Sequence, residues 1–283
     1  MKTLNLVNIE RSDIKYRIDE FPDGQQQVVI DTVIYISNEL IVVKSRLNNF
    51  QDLELIICAT KSLRNLGVKE IHLYTPYFLG SRSDRQFEEG SNNYLRDVIC
   101  PIINSLNFES ITVLDPHSDV LEACLNNFRK KPNSALVKFA LYDLYEDIPS
   151  KQNFILISPD AGASKKIYKL AEQIDYKGDV ITCSKDRDEK GKLTKCVVPS
   201  IPSGKDIIIV DDICDGGATF INIAKEIRNT EGFNNKICLI VTHGIFSKGF
   251  NELSEYFDNI YCTNSYSNVN VGPGFVKQLE TFM

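Results

Sequence analysis

Short runs of four to six apolar residues recur along this chain, and amphipathic stretches separate them. KEIHLYT (69–75), ESITVLD (109–115), NFILISPD (153–160), DIIIVDD (206–212) and KICLIVTHG (236–244) each have the length and β-branched content of a strand. Helical spacing of apolar positions falls between them, over about 52–66, near 93–105, along ASKKIYKLAEQI and along FINIAKEIRNT. This alternation predicts an α/β fold built from βαβ units, with largely parallel sheets flanked by helices.

A polar, proline-containing stretch, LYDLYEDIPSKQN (141–153), interrupts the rhythm and predicts a domain boundary near 147. The first domain is expected over 1–147 and the second over 148–267. The final segment, about 268–283 and including GPGFVKQLETF, is a candidate to pack back on the first domain. In open α/β sheets, ligands sit beyond the carboxyl ends of the strands. Chemistry-bearing residues concentrate at such ends here: Tyr74–Tyr77, Asp115–His117, Ser158–Asp160, Asp211–Asp215 and Thr242–Gly244.

With 283 residues and 43% hydrophobic content, the chain can bury a sizeable core. No apolar run approaches the roughly 18 residues of a membrane span, and charges interrupt the N-terminus where a signal peptide would be apolar. A soluble cytoplasmic protein is expected, with no membrane partner. The net charge of -6 argues against nucleic acid as a partner. None of the eight cysteines forms a C-x-x-C pair and most lie in apolar runs, which points to buried reduced thiols.

The densest chemistry is in DIIIVDDICDGGATF (206–220). Gly216 and Gly217 let the backbone turn tightly and present N–H groups to an anion. A helix starting near Ala218–Thr219 adds the positive end of its dipole. Such a cradle suits a phosphate. The carboxylates of Asp211 and Asp212 cannot serve that phosphate, but they can accept hydrogen bonds from vicinal hydroxyls or hold a divalent cation. Phosphate plus diol describes a ribose 5-phosphate unit. The alternative is a capped, solvated turn.

This stretch resembles the phosphoribosyl diphosphate-binding motif shared by type I phosphoribosyltransferases and ribose-phosphate diphosphokinases, the phosphoribosyl diphosphate synthetases. Six further segments resemble the diphosphokinases, in family order and over nearly the whole chain. FPDGQ (21–25) is similar to their F-x-D-G-E segment, and 45–85 to a helix and strand ending in the nucleotide loop. LDPHS (114–118) is similar to the D-x-H motif and ISPDAGASKK (157–166) to the S-P-D-x-G segment. SKDRDEKGKL (184–193) matches the mobile catalytic loop, and VTHGIFS (241–247) a later segment.

The resemblance implies two phosphoribosyltransferase-type domains, the first binding nucleotide and the second ribose phosphate. The implied reaction moves the β,γ-diphosphate of Mg-ATP to the anomeric hydroxyl of ribose 5-phosphate, releasing AMP, with Mg2+ as cofactor. Lys185 and Arg187 would neutralise charge in the transition state. His117 would act with them or ligate the metal, and Asp160 would be a second metal or ribose contact. Phe21, Asp23, Gln25, Arg82, Asp84 and Arg85 would bind ATP. Asp211, Asp212, Asp215, Gly216, Gly217, Ala218 and Thr219 would bind the ribose phosphate. In the family the Phe21 segment serves a neighbouring subunit, so a homo-oligomer, dimer or hexamer, is implied. His72 reads as structural, and His243 is left undecided.

Two departures stand out. Gln25 replaces the family glutamate, and Asp215-Gly216-Gly217-Ala218-Thr219 replaces the usual D-T-G-G-T. Gly216 removes a hydroxyl donor and opens room beside the phosphate, which suits a larger acceptor such as ADP-ribose. That transfer, to ADP-ribose for NAD resynthesis, is the alternative to ribose 5-phosphate. A phosphoribosyltransferase and a non-catalytic regulatory homologue are the remaining readings.

Overall fold

The computed structural model describes residues 1–32, 36–145, 153–187, 193–269 and 274–282. The chain packs as two compact units, residues 1–132 with the C-terminal tip, and residues 133–280.

The first unit runs β1 (Lys2–Asn5), β2 (Tyr16–Glu20), β3 (Gln26–Ile30), β4 (Leu40–Lys44), α1 (Phe50–Asn65) and β5 (Glu70–Tyr74). A π-helical turn, Leu95–Ile99, then leads into α2 (Cys100–Asn104), followed by β6 (Ser110–Leu114), α3 (Val120–Cys124) and β7 (Phe128–Lys131). The main sheet is parallel, in the order β1-β4-β5-β6-β7. Ile41, Val43, Ile71, Leu73, Ile111 and Val113 alternate along its strands and pack on Leu53, Ile56, Leu63, Ile99 and Ile103 of the helical layer. β2 and β3 form a separate antiparallel hairpin, which lies on α1. Gln26 N donates to Glu54 Oε1 at 3.2 Å and Ser62 Oγ donates to Val28 O at 2.8 Å.

The second unit contains α4 (Ser134–Tyr145), β8 (Phe154–Ser158), α5 (Ala161–Gln173), β9 (Val180–Thr182), β10 (Ser184–Arg187), β11 (Leu193–Val197) and β12 (Asp206–Cys214). It ends with α6 (Ala218–Arg228), β13 (Ile237–Gly244), α7 (Asn251–Tyr256), β14 (Asn259–Thr263) and β15 (Val276–Leu279). Its six-stranded parallel sheet has the order β15-β14-β13-β12-β8-β9. Ile207 and Ile209 face one layer, with Phe220, Ile223 and Ile227 of α6. Ile208 and Val210 face the other, with Leu136 of α4 and Ile167 and Leu170 of α5. Helices therefore cover both faces, which is why β12 reads as an unbroken apolar run.

The domain boundary differs from the expectation. α4 belongs to the second unit, so the division falls after Pro132 rather than near 147. The polar residues that read as a linker make specific bonds there. Tyr145 Oη donates to Asp206 Oδ2 at 3.0 Å, Tyr261 Oη donates to Asp143 Oδ2 at 2.6 Å, and Lys277 pairs with Asp143. The C-terminal segment also behaves differently. β15 is an edge strand of the second sheet, paired with β14. Only the tip joins the first unit, where Asn5 Nδ2 donates to Phe282 O at 3.0 Å and the Phe282 ring meets Tyr74 edge-on at 6.1 Å.

The described cysteine side chains are all free thiols, and burial pushes those of Cys100, Cys214, Cys238 and Cys262 up to about 12. They are protonated and inert at neutral pH. No helix among the described residues is long and apolar enough to cross a membrane.

Asn5 is fully buried, and its Oδ1 also accepts from Val7 N and Asn8 N, both at 3.1 Å. Asn5→Ala strands these groups and frees the C-terminal tip, so it is expected to lower stability by about 1–3 kcal/mol. Chemical denaturation checks this, and an unchanged midpoint would contradict it.

Candidate active site at the carboxyl edge of the second sheet

The second sheet has a reversal in strand order between β8 and β12. After β8 the chain moves outward to β9 through α5, and after β12 it moves the other way to β13 through α6. α5 and α6 lie on opposite faces. The helices thus diverge at this point and leave a crevice beyond the strand ends, where α/β sheets bind ligands. The pairing register deepens it. β8 pairs with β12 only as far as Ile157↔Ile209, whereas β12 continues beside β13 to Cys214↔Gly244. Asp211 and Asp212 are therefore presented just past the end of the shorter strand.

Three carboxylates meet there. Asp160 caps α5, its Oδ1 accepting from Ala163 N at 2.9 Å. Asp211 Oδ1 accepts from Asp212 N at 2.9 Å. Asp212 is buried, and Lys166 Nζ from α5 lies 3.6 Å from its Oδ2. Burial raises the Asp211 carboxyl well above its ordinary value, and the charges of Asp212 and Asp160 raise it further. Asp211 is thus poised to gain from hydroxyl donors or from a cation.

The glycine-rich turn follows. Gly217 has φ +79°, in the left-handed region, and occupies the N-cap position of α6. The left-handed conformation calls for glycine, and a Cβ there would also lie a tight 3.1 Å from Leu253 Cδ2. α6 starts at Ala218, as the sequence implied, which puts the free N–H groups of its first turn beside Gly216 and Thr219. The β13–α7 connection clamps the turn from outside. Ile245 N and Phe246 N donate to Cys214 O, at 2.9 and 3.2 Å, and Ser247 N donates to Asp215 O at 3.2 Å. His243, undecided from the sequence, is buried, with Nδ1 2.8 Å from Ser265 Oγ.

The sequence-derived residues divide between the units. Asp160, Asp211, Asp212, Asp215, Gly216, Gly217, Ala218 and Thr219 converge on this one edge. Lys185 and Arg187 lie on β10, in an antiparallel pair with β11, so the segment expected as a mobile loop includes two strands. Residues 188–192 of that loop lie outside the described residues.

In the first unit, His117 is exposed just after β6, beyond Asp115, whose φ of +41° turns the chain. Arg82, Asp84 and Arg85 follow β5, and Leu114 N donates to Pro76 O at 3.1 Å, so the two loops leave the sheet side by side. Asn93 Nδ2 donates to Asp84 O at 2.8 Å, and the Arg85 guanidinium lies 5.2 Å from the centre of the exposed Phe87 ring. Phe21, Asp23 and Gln25 form the β2–β3 turn. Phe21 is exposed at 47%, and Asp23 Oδ1 accepts from Gln25 N at 3.2 Å. The turn projects past the N-terminal end of α1, since Gln26 already lies beside Glu54 in the helix's second turn. Among the described residues, no group of three or more His, Cys, Asp or Glu could hold a metal ion.

Lys166 and Lys248 are the residues sequence reading missed. Lys166 sits in ISPDAGASKK, but nothing in its spacing says that it reaches Asp212. Lys248 packs its stem beside Gly216, from a segment of another strand's loop.

A model of the phosphoribosyl transferase domain matches residues 127–264, which contain the crevice and the glycine turn. The chain is 27% identical over 274 residues to a ribose-phosphate pyrophosphokinase of Pyrococcus furiosus, covering 93% of this chain and 91% of that one. It is also 27% identical over 233 residues to the Mycoplasmopsis pulmonis enzyme of the same name, covering 81% and 69%. The crystal structure of phosphoribosylpyrophosphate synthetase from Mycobacterium smegmatis superposes with a TM-score of 0.79 at 17% identity, over 96% of this chain and 88% of that one. The fold is thus of phosphoribosyltransferase type. Within that class, the chain is similar over most of its length to proteins named ribose-phosphate pyrophosphokinase.

Because the folded state holds Asp211 protonated to a higher pH than the unfolded state does, its contribution to stability falls as pH rises above the ordinary aspartate value of about 3.9. Asp211→Asn is therefore expected to raise the melting temperature of ligand-free protein at neutral pH. The gain should shrink as pH falls toward about 4. A loss of stability at neutral pH would contradict this.

Proposed function

We propose that the protein transfers the β,γ-diphosphate of Mg-ATP to the anomeric hydroxyl of ribose 5-phosphate, yielding phosphoribosyl diphosphate and AMP. The observation that carries this reading is the pair Asp211–Asp212 beside the left-handed Gly217 turn, at the β8–β12 crevice. One half of such a site suits a diol and the other a phosphate. Relatives named ribose-phosphate pyrophosphokinase support it.

In this reading Asp211 and Asp212 accept hydrogen bonds from the ribose hydroxyls, and the N–H groups from Gly216 to Thr219 hold the 5-phosphate. The anomeric oxygen bonds to the β-phosphorus, the bond from that phosphorus to the α,β-bridging oxygen breaks, and AMP leaves with that oxygen. The hydroxyl proton is released. Lys185 and Arg187 neutralise charge that grows on the phosphoryl oxygens. Phe21, Asp23, Gln25, Arg82, Asp84 and Arg85 hold the nucleotide. Mg2+ typically takes only one or two protein ligands, with phosphates and water completing its shell. His117 would ligate the Mg2+ of Mg-ATP, and Asp160, whose charge acts on Asp211, would hold a second metal ion or contact the ribose; either ion would offset phosphate charge. The molecule acts in the cytoplasm, as a homo-oligomer.

Gly216 favours a second reading, in which ADP-ribose replaces ribose 5-phosphate. The Lys248 stem borders that position, with Cδ and Cε 3.3 Å from where a Cβ would lie, and a substituent beyond the 5-phosphate would have to displace this flexible side chain.

Incubation with Mg-ATP and either acceptor, followed by mass spectrometry, tests both. The account expects AMP and the diphosphorylated acceptor in equal amounts, and Lys185→Ala is expected to lower kcat by about 10²–10³-fold. Intact ATP with every acceptor, or ADP in place of AMP, would overturn it.

A further inference from the structure

We propose that Lys248 is a specificity-determining residue of the acceptor site. Its ammonium binds phosphoryl oxygens at the 5′ end of the ribose acceptor, where Gly216 supplies no side chain. The inference rests on the reading above and adds a residue that no motif marks.

The geometry starts at the other end of the β13–α7 connection. Gly244 closes β13, and a Cβ on it would lie 2.1 Å from the Phe246 ring, so only glycine lets that ring fold back. Phe246 is itself left-handed, at φ +49°, and is buried against the Phe250 ring at 4.6 Å between centres. Gly249 N donates to Phe246 O at 2.8 Å and closes the turn. The hydrogen bonds from 245–247 to Cys214 and Asp215 then fasten this turn to the phosphate turn. Lys248 is thus presented from a tightly built loop.

Its stem runs beside Gly216. Lys248 Cδ and Cε each lie 3.3 Å from where a Cβ of residue 216 would be. The ammonium is one bond beyond Cε, which keeps it within reach of the Gly216 turn. Among the described residues, no ion pair commits it elsewhere. Asp211, Asp212 and Asp215 make the surroundings acidic, so an anionic ligand here needs a cation that follows it closely. An exposed, flexible lysine can meet a phosphate monoester or the phosphoryl groups of a diphosphate. If Lys248 only packed its methylenes on Gly216, removing its charge would change nothing.

Lys248→Met keeps the stem and removes the charge, and Lys248→Arg keeps both. The Met variant is expected to raise the acceptor KM about tenfold or more, with the ATP KM within about twofold, and the Arg variant to stay near the wild type. The wild-type acceptor KM should also rise with salt more steeply than that of the Met variant. An unchanged acceptor KM in Lys248→Met would overturn the inference. If the wild type turns over no acceptor, the proposed reaction fails. Calorimetric binding of ribose 5-phosphate and of ADP-ribose then decides the inference by itself: weaker binding to the Met variant supports it, and equal binding overturns it. Weakening with both ligands puts the ammonium on the first phosphoryl group, and weakening with ADP-ribose alone puts it on the group beyond.

Discussion

Everything in the second unit depends on holding negative charge at the end of a strand that is buried on both faces. Ile207, Ile208, Ile209 and Val210 are fully buried between two helical layers. Four such side chains contribute on the order of 6–12 kcal/mol as an upper bound. That exceeds the roughly 1–3 kcal/mol by which an unsatisfied buried polar group destabilises a fold. The strand can therefore keep Asp211 and Asp212 in an unfavourable setting. The raised Asp211 carboxyl is the sign of that strain, and a ligand offering hydroxyls or a cation relieves it.

The strand order converts this strain into a site. Because β8 stops pairing at Ile157 while β12 runs on to Cys214, the carboxylates border open space at the point where α5 and α6 part. Gly217 then reverses the chain in a conformation that other residues rarely adopt, and α6 begins with its donors facing the same space. The clamp from 245–248 holds this turn from the far side. Acid, turn and clamp come from three different connections, so their convergence is a property of the fold.

The strands buried on both faces were the most legible elements. DIIIVDD and KICLIVTHG appear as β12 and β13, and the parallel α/β class follows from them. Edge elements were harder to read. β15 is VKQL, with one partner and little apolar content, so its periodicity says nothing. The boundary was misplaced because Asp143 and Tyr145 look like linker residues, yet they bond to Tyr261 and Asp206. The aspartates and glycines of the site were legible because strand, acids and turn are contiguous. Lys166 and Lys248 were not, since their partners lie far along the chain.

The central claim is that the β8–β12 edge holds the ribose-phosphate end of the acceptor. Amide hydrogen exchange with and without ribose 5-phosphate, in the absence of ATP, tests it most directly. The account predicts slowed exchange across 211–221, centred on the turn and the first residues of α6. Unchanged exchange there, with protection appearing elsewhere in the chain, would contradict it.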